Sequence, residues 1–367
     1  MAGNALLQRT PGKVVVLGDI FVDVVLRVPY YPEEGLDAMA REIHVRQGGS
    51  STATSIVLSR LGIESRVLGR VGDDPLGDIA LELLQESGIS TECIQRDINH
   101  RTGLLFAVVS DHGERTMFAY RGANDYLTGS APIESDWLHV SGYSLLNSPQ
   151  REFAQSALER AHKEGIPCSL DPGVQSCIDT PELVKNLLKY VNVVFPSLQE
   201  IKQILPNEDP YESAHMMTEY GVPIVALKLG GEGSYLVDTT HSITAKIPAF
   251  QVDAIDTTGA GDSYAGGFIA GRLSGLNTVQ SCILGSAAAA NVIRKGCGVQ
   301  GFCSGPTGLS ELVSIIRSAR DDKRWEDLRD DLTVVESALI TSRMKGGGRS
   351  HLHELQSVAI EMEGVST

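Results

Sequence analysis

"IDTTGAGDSYAGGF", residues 255–268, gathers two acids, two threonines and four glycines just ahead of an apolar helical run. Gly259, Ala260 and Gly261 open the helix expected over 260–273. Small residues there expose backbone N–H groups that lack an intrahelical partner, and the helix dipole adds partial positive charge. That is an anion cradle that needs no lysine. Asp262 lies in the first turn, where a carboxylate is stabilised as the anion, so it reads as an ionised base for a hydroxyl rather than a high-pKa acid. Phosphoryl transfer depends mainly on positioning and charge stabilisation, so an anion hole adjoining a carboxylate can move a phosphoryl group to an alcohol. The same residues also fit a plain N-capping aspartate after a glycine turn.

The chain has 367 residues, 42% hydrophobic and 21% charged, enough for one large α/β domain with an appendage or for two domains. Its formal net charge is −15 and its Lys and Arg are not clustered, which argues against nucleic acid as a partner. An acidic protein that handles anions must neutralise them locally, with helix N-termini, metal ions or a few placed cations. The six cysteines, at 93, 168, 177, 282, 297 and 303, form no CxxC pair, so neither a zinc site nor a disulfide framework is expected. No signal-peptide pattern and no membrane-spanning apolar run is present, and a cytoplasmic, thiol-reduced protein without a membrane partner is the expectation.

Outward from the opening stretch, apolar runs alternate with helical periodicity. "KVVVLGD" (13–19) reads as a buried strand and turn, and "DVVLRVPYYPEEG" (23–35) as a short edge strand broken by prolines. A helix over 51–61 ends at Gly62, 65–72 is a strand, and 74–88 is a helix with Pro at its start and Gly at its end. "GLLFAVVS" and "RTMFAYRG", joined by "DHGE", form a hairpin over 103–122. Strands and helices alternate from 137 to 195, the sheet continues through 222–247, and helices follow over 277–294 and 308–319. The expected fold is α/β: a doubly wound, mostly parallel sheet with helices on both faces. Strands drawn from about 20–47 and 103–121 do not fit that alternation and would form a small β-sheet lid. Residues 11–320 would be one domain. Residues 321–367, with "DDKRWEDLRDDL" and "KGGGRS", read as a charged extension, a solvated helix followed by a loose tail.

"DTTGAGD" and the Ala/Gly-rich helix after it resemble the signature of the ribokinase-like (PfkB) carbohydrate kinases, and further family features recur in order over 13–310. "GDIFVD" (18–23) brings Asp23, which the resemblance makes a ligand of sugar hydroxyls. "QGGSSTATSIVLSRLG" (47–62) brings Gly48 and Gly49 against the sugar. "RVGDDPLG" (70–77) and "GAN" (122–124) are further matching stretches. "SLQE" (197–200) resembles an Asn-x-x-Glu motif whose Glu, here Glu200, helps hold hydrated Mg²⁺. "LKLGGEGSYLV" (227–237) and "AANVIRKGCGVQG" (289–301) resemble the nucleotide side. By this likeness Asp262 is the base, and Gly259, Ala260 and Gly261 are the anion hole. Asn291, Gly231 and Gly233 border adenine. Asp256 and the backbone at Thr258 and Gly296 hold a potassium-like ion. ATP, Mg²⁺ and K⁺ are the implied cofactors, and Mg²⁺ would offset ATP's charge in an acidic protein. Lys228 is either a cation at the phosphates or a strand-end lysine in solvent.

Three departures bear on the acceptor. Ala53 stands where the family usually has an Asn that bonds sugar hydroxyls. Ser197 replaces the Asn of the magnesium motif, and Phe21 stands where ribose-specific members carry Asn. Phe21, Tyr30, Tyr31, Phe106 and Phe118 could stack a base or a sugar, but packing of the small sheet's own core is the simpler expectation. Ser141 and Tyr143 follow a strand and would face the crevice at the sheet's carboxyl end. Cys168, Cys177, Cys282, Cys297 and Cys303 read as small buried fillers.

The function these features imply is ATP-dependent transfer of the γ-phosphoryl group to a hydroxymethyl hydroxyl of a small sugar or sugar acid. A nucleoside kinase of the same fold and a silent sugar- or nucleotide-binding regulator are the alternatives. A dehydrogenase is also thinkable for a doubly wound sheet, but the first strand ends without GxGxxG, which argues against it. A lid made of strands exposes an edge, and a homodimer pairing two lids would cover it.

Overall fold

The computed structural model describes residues 12–341, except 113, 131–133 and 297. A nine-stranded sheet has strands β1 (Lys13–Leu17), β4 (Glu64–Gly72), β5 (Ile94–Asp97), β8 (Trp137–Ser141), β9 (Cys168–Asp171), β10 (Val193–Val194), β11 (Ile224–Lys228), β12 (Ser234–Asp238) and β13 (Ile243–Ile247). Its order is β13-β12-β11-β10-β9-β8-β1-β4-β5. The strands from β11 through β5 pair in parallel, and β12 and β13 close the other edge antiparallel. The expected doubly wound fold is therefore present. β1 shows why its run is apolar at every position from 14 to 17: Val14 and Val16 enter one hydrophobic cluster, Val15 and Leu17 the other. A parallel strand covered by helices on both faces alternates between two cores.

The small sheet holds β2 (Phe21–Val28), β3 (Glu42–Gly48), β6 (Gly103–Ser110) and β7 (Arg115–Tyr120), in the order β3-β2-β6-β7. The edge-strand expectation for 23–28 is corrected. β2 is eight residues long and sits inside the sheet, because Pro29 and Pro32 lie beyond its last paired residue and remove no ladder donor. Register sets its two faces. Arg46, Asp23, Leu105 and Ala119 form one row, and Val45, Val24, Phe106 and Phe118 form the next row on the opposite face.

Core packing of the lid aromatics is also corrected. Only Phe21 is buried, whereas Tyr30, Tyr31, Phe106 and Phe118 are exposed. A single-layered sheet has no second layer to cover its outer face. The cysteine expectation is met for Cys168, Cys177 and Cys282. Cys93 and Cys303 are half-buried, and Cys297 lies outside the described residues.

The charged segment after 320 is not a solvated helix over its described part. Residues 323–341 are helical, and Trp325, Leu332, Val335 and Leu339 join the main core. Trp325 is 0% exposed and stacks on Phe250, with ring centroids 4.5 Å apart. Glu336 accepts from Arg317 Nε at 2.7 Å and Arg320 Nη2 at 2.5 Å. The mixed charges pair on one side while the apolar residues, at helical spacing, dock. Residues 342–367 lie outside the described region. Trp325→Ala should cost about 3–5 kcal/mol of stability, read from urea unfolding of the full chain. A loss under about 1 kcal/mol would mean the segment is not part of the core.

Candidate active site

A cavity of about 580 Å³ opens between the carboxyl edge of the large sheet and the inner face of the lid. This is the crevice that open α/β sheets offer to ligands. The lid contributes the Arg46–Asp23–Leu105–Ala119 row to its wall. Gly48, paired with Phe21 across β2 and β3, must be glycine for this to work. A Cβ there would stand 1.8 Å from Asp23 Oδ1. The Asp23 carboxyl lies against the bare backbone, and Oδ1 is buried with no hydrogen-bond partner among the described residues. Burial pushes its pKa up to about 6, partly offset by Arg46. A buried acceptor left unpaired costs about 1–3 kcal/mol, which a ligand hydroxyl would recover.

Opposite the lid, Gly259 takes the left-handed φ of +76° and lets the helix Ala260–Leu273 begin abruptly. The three residues expected to form the anion hole do not behave alike. Ala260 N–H donates to Thr257 O at 3.2 Å, so its amide is spent on the chain itself. Gly259 and Gly261 line the cavity. The N–H groups of Gly261 and Asp262 donate to no carbonyl among the described residues. The free amides at this helix start are therefore those of Gly261 and Asp262, with Gly259 as the turn.

The Asp262 carboxylate accepts a hydrogen bond from the Ser50 hydroxyl. The expectation that its helix position holds it low is corrected. Burial, then the nearby Asp171 charge, pushes Asp262 up to about 7 against the opposing Ser50 bond. Lys228 is not in solvent. Its Nζ pairs with Asp171 Oδ2 at 2.6 Å and lies 3.2 Å from where a Cβ on Gly261 would stand. Burial alone would lower its pKa, but Asp171 and Glu200 outweigh burial and hold the ammonium above its usual range.

Glu200 closes the capping box of the helix Leu198–Ile204. Its Oε2 accepts from Ser197 N at 2.7 Å, and Ser197 Oγ caps Glu200 N at 3.2 Å. The Ser197 hydroxyl is thus committed to the helix. Burial raises the Glu200 pKa despite Lys228. Glu200 and Asp262 add to the Lys228–Asp171 pair, so three carboxylates face one ammonium in the cavity wall. Among the described residues no acidic, His or Cys group of three is close enough to ligate a metal directly. Hard oxygens with surplus negative charge fit a hydrated magnesium ion held through water and phosphate.

The pattern of the pfkB family carbohydrate kinases matches residues 11–300. The chain belongs to this family. As a PfkB member it is a sugar or nucleoside kinase, an ATP-dependent phosphotransferase with an alcohol acceptor. It is 30% identical to the ATP-dependent ribose-1-phosphate kinase of Halopiger xanaduensis, over 70% of this chain and 84% of that protein. It is 25% identical to the ribokinase of Haemophilus influenzae, over 77% of this chain and 93% of that one. Its fold superposes on Arabidopsis thaliana ribokinase complexed with ribose and ATP. The TM-score is 0.72 at 19% identity, covering 83% of this chain and 99% of that one.

Within this PfkB chain the cavity gathers Asp23, Gly48, Gly49, Glu200, Lys228, Thr258, Gly259, Gly261 and Asp262. The other expected residues stand apart from it. Ser141 is buried beside Gly18 and does not line the cavity. Asn291 is fully buried and its amide is engaged, donating to Glu311 Oε2 at 3.3 Å and accepting from Arg294 Nη2 at 2.8 Å. Its side-chain amide is therefore engaged within the chain rather than turned to the cavity. Gly231 and Gly233 lie in the turn 230–233, Gly231 exposed. Asp256 and Gly296 do not line the cavity, although Asp256 bonds Arg115 and Thr258, which do.

Sequence reading passed over Ser50, Asp171, Arg46, Arg115 and Arg121. Asp171 ends β9 at the sheet's carboxyl edge, a position that the crevice rule could have flagged. Ser50 follows Gly48 and Gly49 directly. Arg121 meets Asp19, 102 positions away, and Gln150 Nε2 supports the same carboxylate at 2.9 Å. No local pattern announces such a pair. Gly48→Ala should displace Asp23 and weaken acceptor binding at least tenfold, with ATP affinity unchanged by calorimetry. Unaltered acceptor binding would remove Asp23 from the acceptor site.

Proposed function

We propose that the protein transfers the γ-phosphoryl group of ATP to a hydroxymethyl hydroxyl of a small sugar or sugar acid, with Asp262 as the base. The observation carrying this is the pairing, in one cavity, of the Asp262 carboxylate with the unpartnered amides of Gly261 and Asp262. Asp23, with the Gly48 and Gly49 backbone beside it, binds the acceptor's other hydroxyls. Asp262 takes the hydroxyl proton as that oxygen attacks the γ-phosphorus. The bond to the β–γ bridging oxygen breaks and ADP leaves. The amides at 261 and 262 hold charge on the transferring group, and Lys228 adds a buried cation beside them. Magnesium, held through water near Glu200, would supply charge neutralisation for ATP when bound. The lid keeps water out, which limits hydrolysis of ATP.

Arg46 favours an acceptor that carries an acid or phosphate group. It stands opposite Asp23 in register, lines the cavity and pairs with no carboxylate among the described residues. The nucleoside alternative is weaker here, since Phe106 and Phe118 face away from the cavity row. Those two, with Val45 and Ile43, make an exposed apolar outer face that suits a second copy of the lid. The kinase domain we assign to 11–320 is completed by the docked segment 323–341. Unpaired cysteines suit a reducing compartment such as the cytoplasm.

Asp262→Asn should lower turnover by orders of magnitude with ATP affinity within a few-fold. For the wild type, kcat/KM for the acceptor should fall about tenfold per pH unit below about 7, because the ionised form is the base. The fall should steepen below about 6 as Asp23 protonates. Near wild-type turnover of Asp262→Asn, or a flat profile from pH 5 to 8, would contradict the assignment. In a screen of sugars, sugar phosphates, sugar acids and nucleosides for ADP release, Arg46→Gln should lower kcat/KM at least tenfold for anionic acceptors only. An equal loss on neutral sugars would remove its role in selection.

A further inference from the structure

The family resemblance implies a potassium-like ion beside Asp256, Thr258 and Gly296. The residues present do not fit a free monovalent cation there. Asp256 Oδ1 already accepts from Thr258 N at 2.9 Å, Thr258 Oγ1 at 2.5 Å and Arg115 Nη1 at 2.9 Å. Three donors on one carboxylate oxygen exceed its lone-pair sites. The same Arg115 nitrogen also donates to Thr258 Oγ1. A second cation at this carboxylate would meet the repulsion of the guanidinium at short range.

Arg115 does not come from this loop. It is the first residue of β7, on the lid, and lies 141 positions from Asp256. It also lines the cavity. A second clasp joins lid and active-site wall nearby, where Gln300 Nε2 donates to Gln47 O at 2.9 Å. Gln47 belongs to β3, and Gln300 to the turn Gly298–Gly301. That turn touches the anion hole, since Val299 Cγ1 lies 2.8 Å from where a Cβ on Gly259 would stand. Both strand edges of the lid are thus tied to the two segments that frame residues 259–262.

We propose that the guanidinium of Arg115, carried in by the lid, supplies the fixed positive charge at Asp256 that a bound potassium ion would otherwise give, and so makes lid closure part of assembling the anion hole. The inference rests on the reading of residues 259–262 as the phosphoryl site. Arg115 is a positioning residue. It neutralises Asp256 and holds Thr258, and those two fix the turn from which the amides of Gly261 and Asp262 project. A charge that arrives only with the closed lid completes the site once water has been excluded. A soluble ion would be present in the open state as well.

The test uses the full-length protein with KCl or tetramethylammonium chloride at matched ionic strength. Wild type should show the same melting temperature, and the same turnover within about twofold, in either salt. Arg115→Ala in tetramethylammonium should lose at least tenfold in kcat with KM for ATP little changed. It should regain several-fold in KCl or in millimolar guanidinium chloride, and KCl should raise its melting temperature. Arg115→Lys should keep most of the activity in either salt. Several-fold potassium activation of the wild type, or an Arg115→Ala variant indifferent to cation in both rate and melting temperature, would overturn the proposal. If no acceptor is phosphorylated by any variant, the proposed acceptor chemistry fails. The cation dependence of the Arg115→Ala melting temperature still decides this inference.

Discussion

The constraint on which the site depends is a helix that starts at the wall of a cavity. From Ser263 to Gly271 the helix Ala260–Leu273 is buried without interruption. Its first free amides, on Gly261 and Asp262, open into a cavity rather than onto the surface. First-turn amides have no intrahelical partner, and two that face a cavity at the positive end of a helix favour an anion there. The rest of the architecture serves that opening. Gly259 makes the turn, Gly261 leaves room for Lys228, and the parallel sheet delivers Asp171 and Lys228 to the same edge.

Two electrostatic effects compete at Asp262, and their magnitudes decide its state. Charge at a helix terminus is worth about 0.3–1 kcal/mol on an exposed surface. Removing a carboxylate from water costs several kcal/mol, and Asp171 nearby adds repulsion. Burial wins, and the group titrates close to neutrality rather than near 4. That placement suits a proton acceptor, since a base works best with a pKa near the working pH. Lys228 shows the opposite balance. Two carboxylates keep it charged in a place where burial alone would discharge it.

Most of the fold was legible because its signals are local. Apolar runs such as 14–17 gave the strands, glycines 62 and 88 marked helix ends, and the hairpin over 103–122 stood out by its turn. The opening of the helix at 260 was legible from Gly259, Ala260, Gly261 and Asp262. What escaped depends on contacts across the chain. β2 reads as an edge strand until its two partners are known, and the prolines after it carry no information about pairing. The aromatics of the lid read as core because sequence does not say that the sheet has one layer. The segment 323–341 reads as solvated because its charges dominate the composition, while Trp325 finds Phe250 some 75 positions away. In the site, Asp23, Glu200 and Asp262 lay within recognisable motifs. Arg46, Arg115 and Asp171 did not: Arg46 reaches the cavity only through the pairing of β3 with β2, and Arg115 and Asp171 act through partners distant in sequence. The internal hydrogen bonds of the Ala260 amide and the Asn291 side chain were not legible either, since they depend on how the chain folds back on itself.

The most direct measurement is a crystal structure of the full chain with ADP, magnesium and a trifluoromagnesate mimic of the transferring phosphoryl group, grown with an accepted sugar. The mimic should lie within hydrogen-bond distance of the Gly261 and Asp262 amides, with the acceptor hydroxyl between it and the Asp262 carboxylate. A mimic bound elsewhere in the cavity, with those amides still unengaged, would contradict the account.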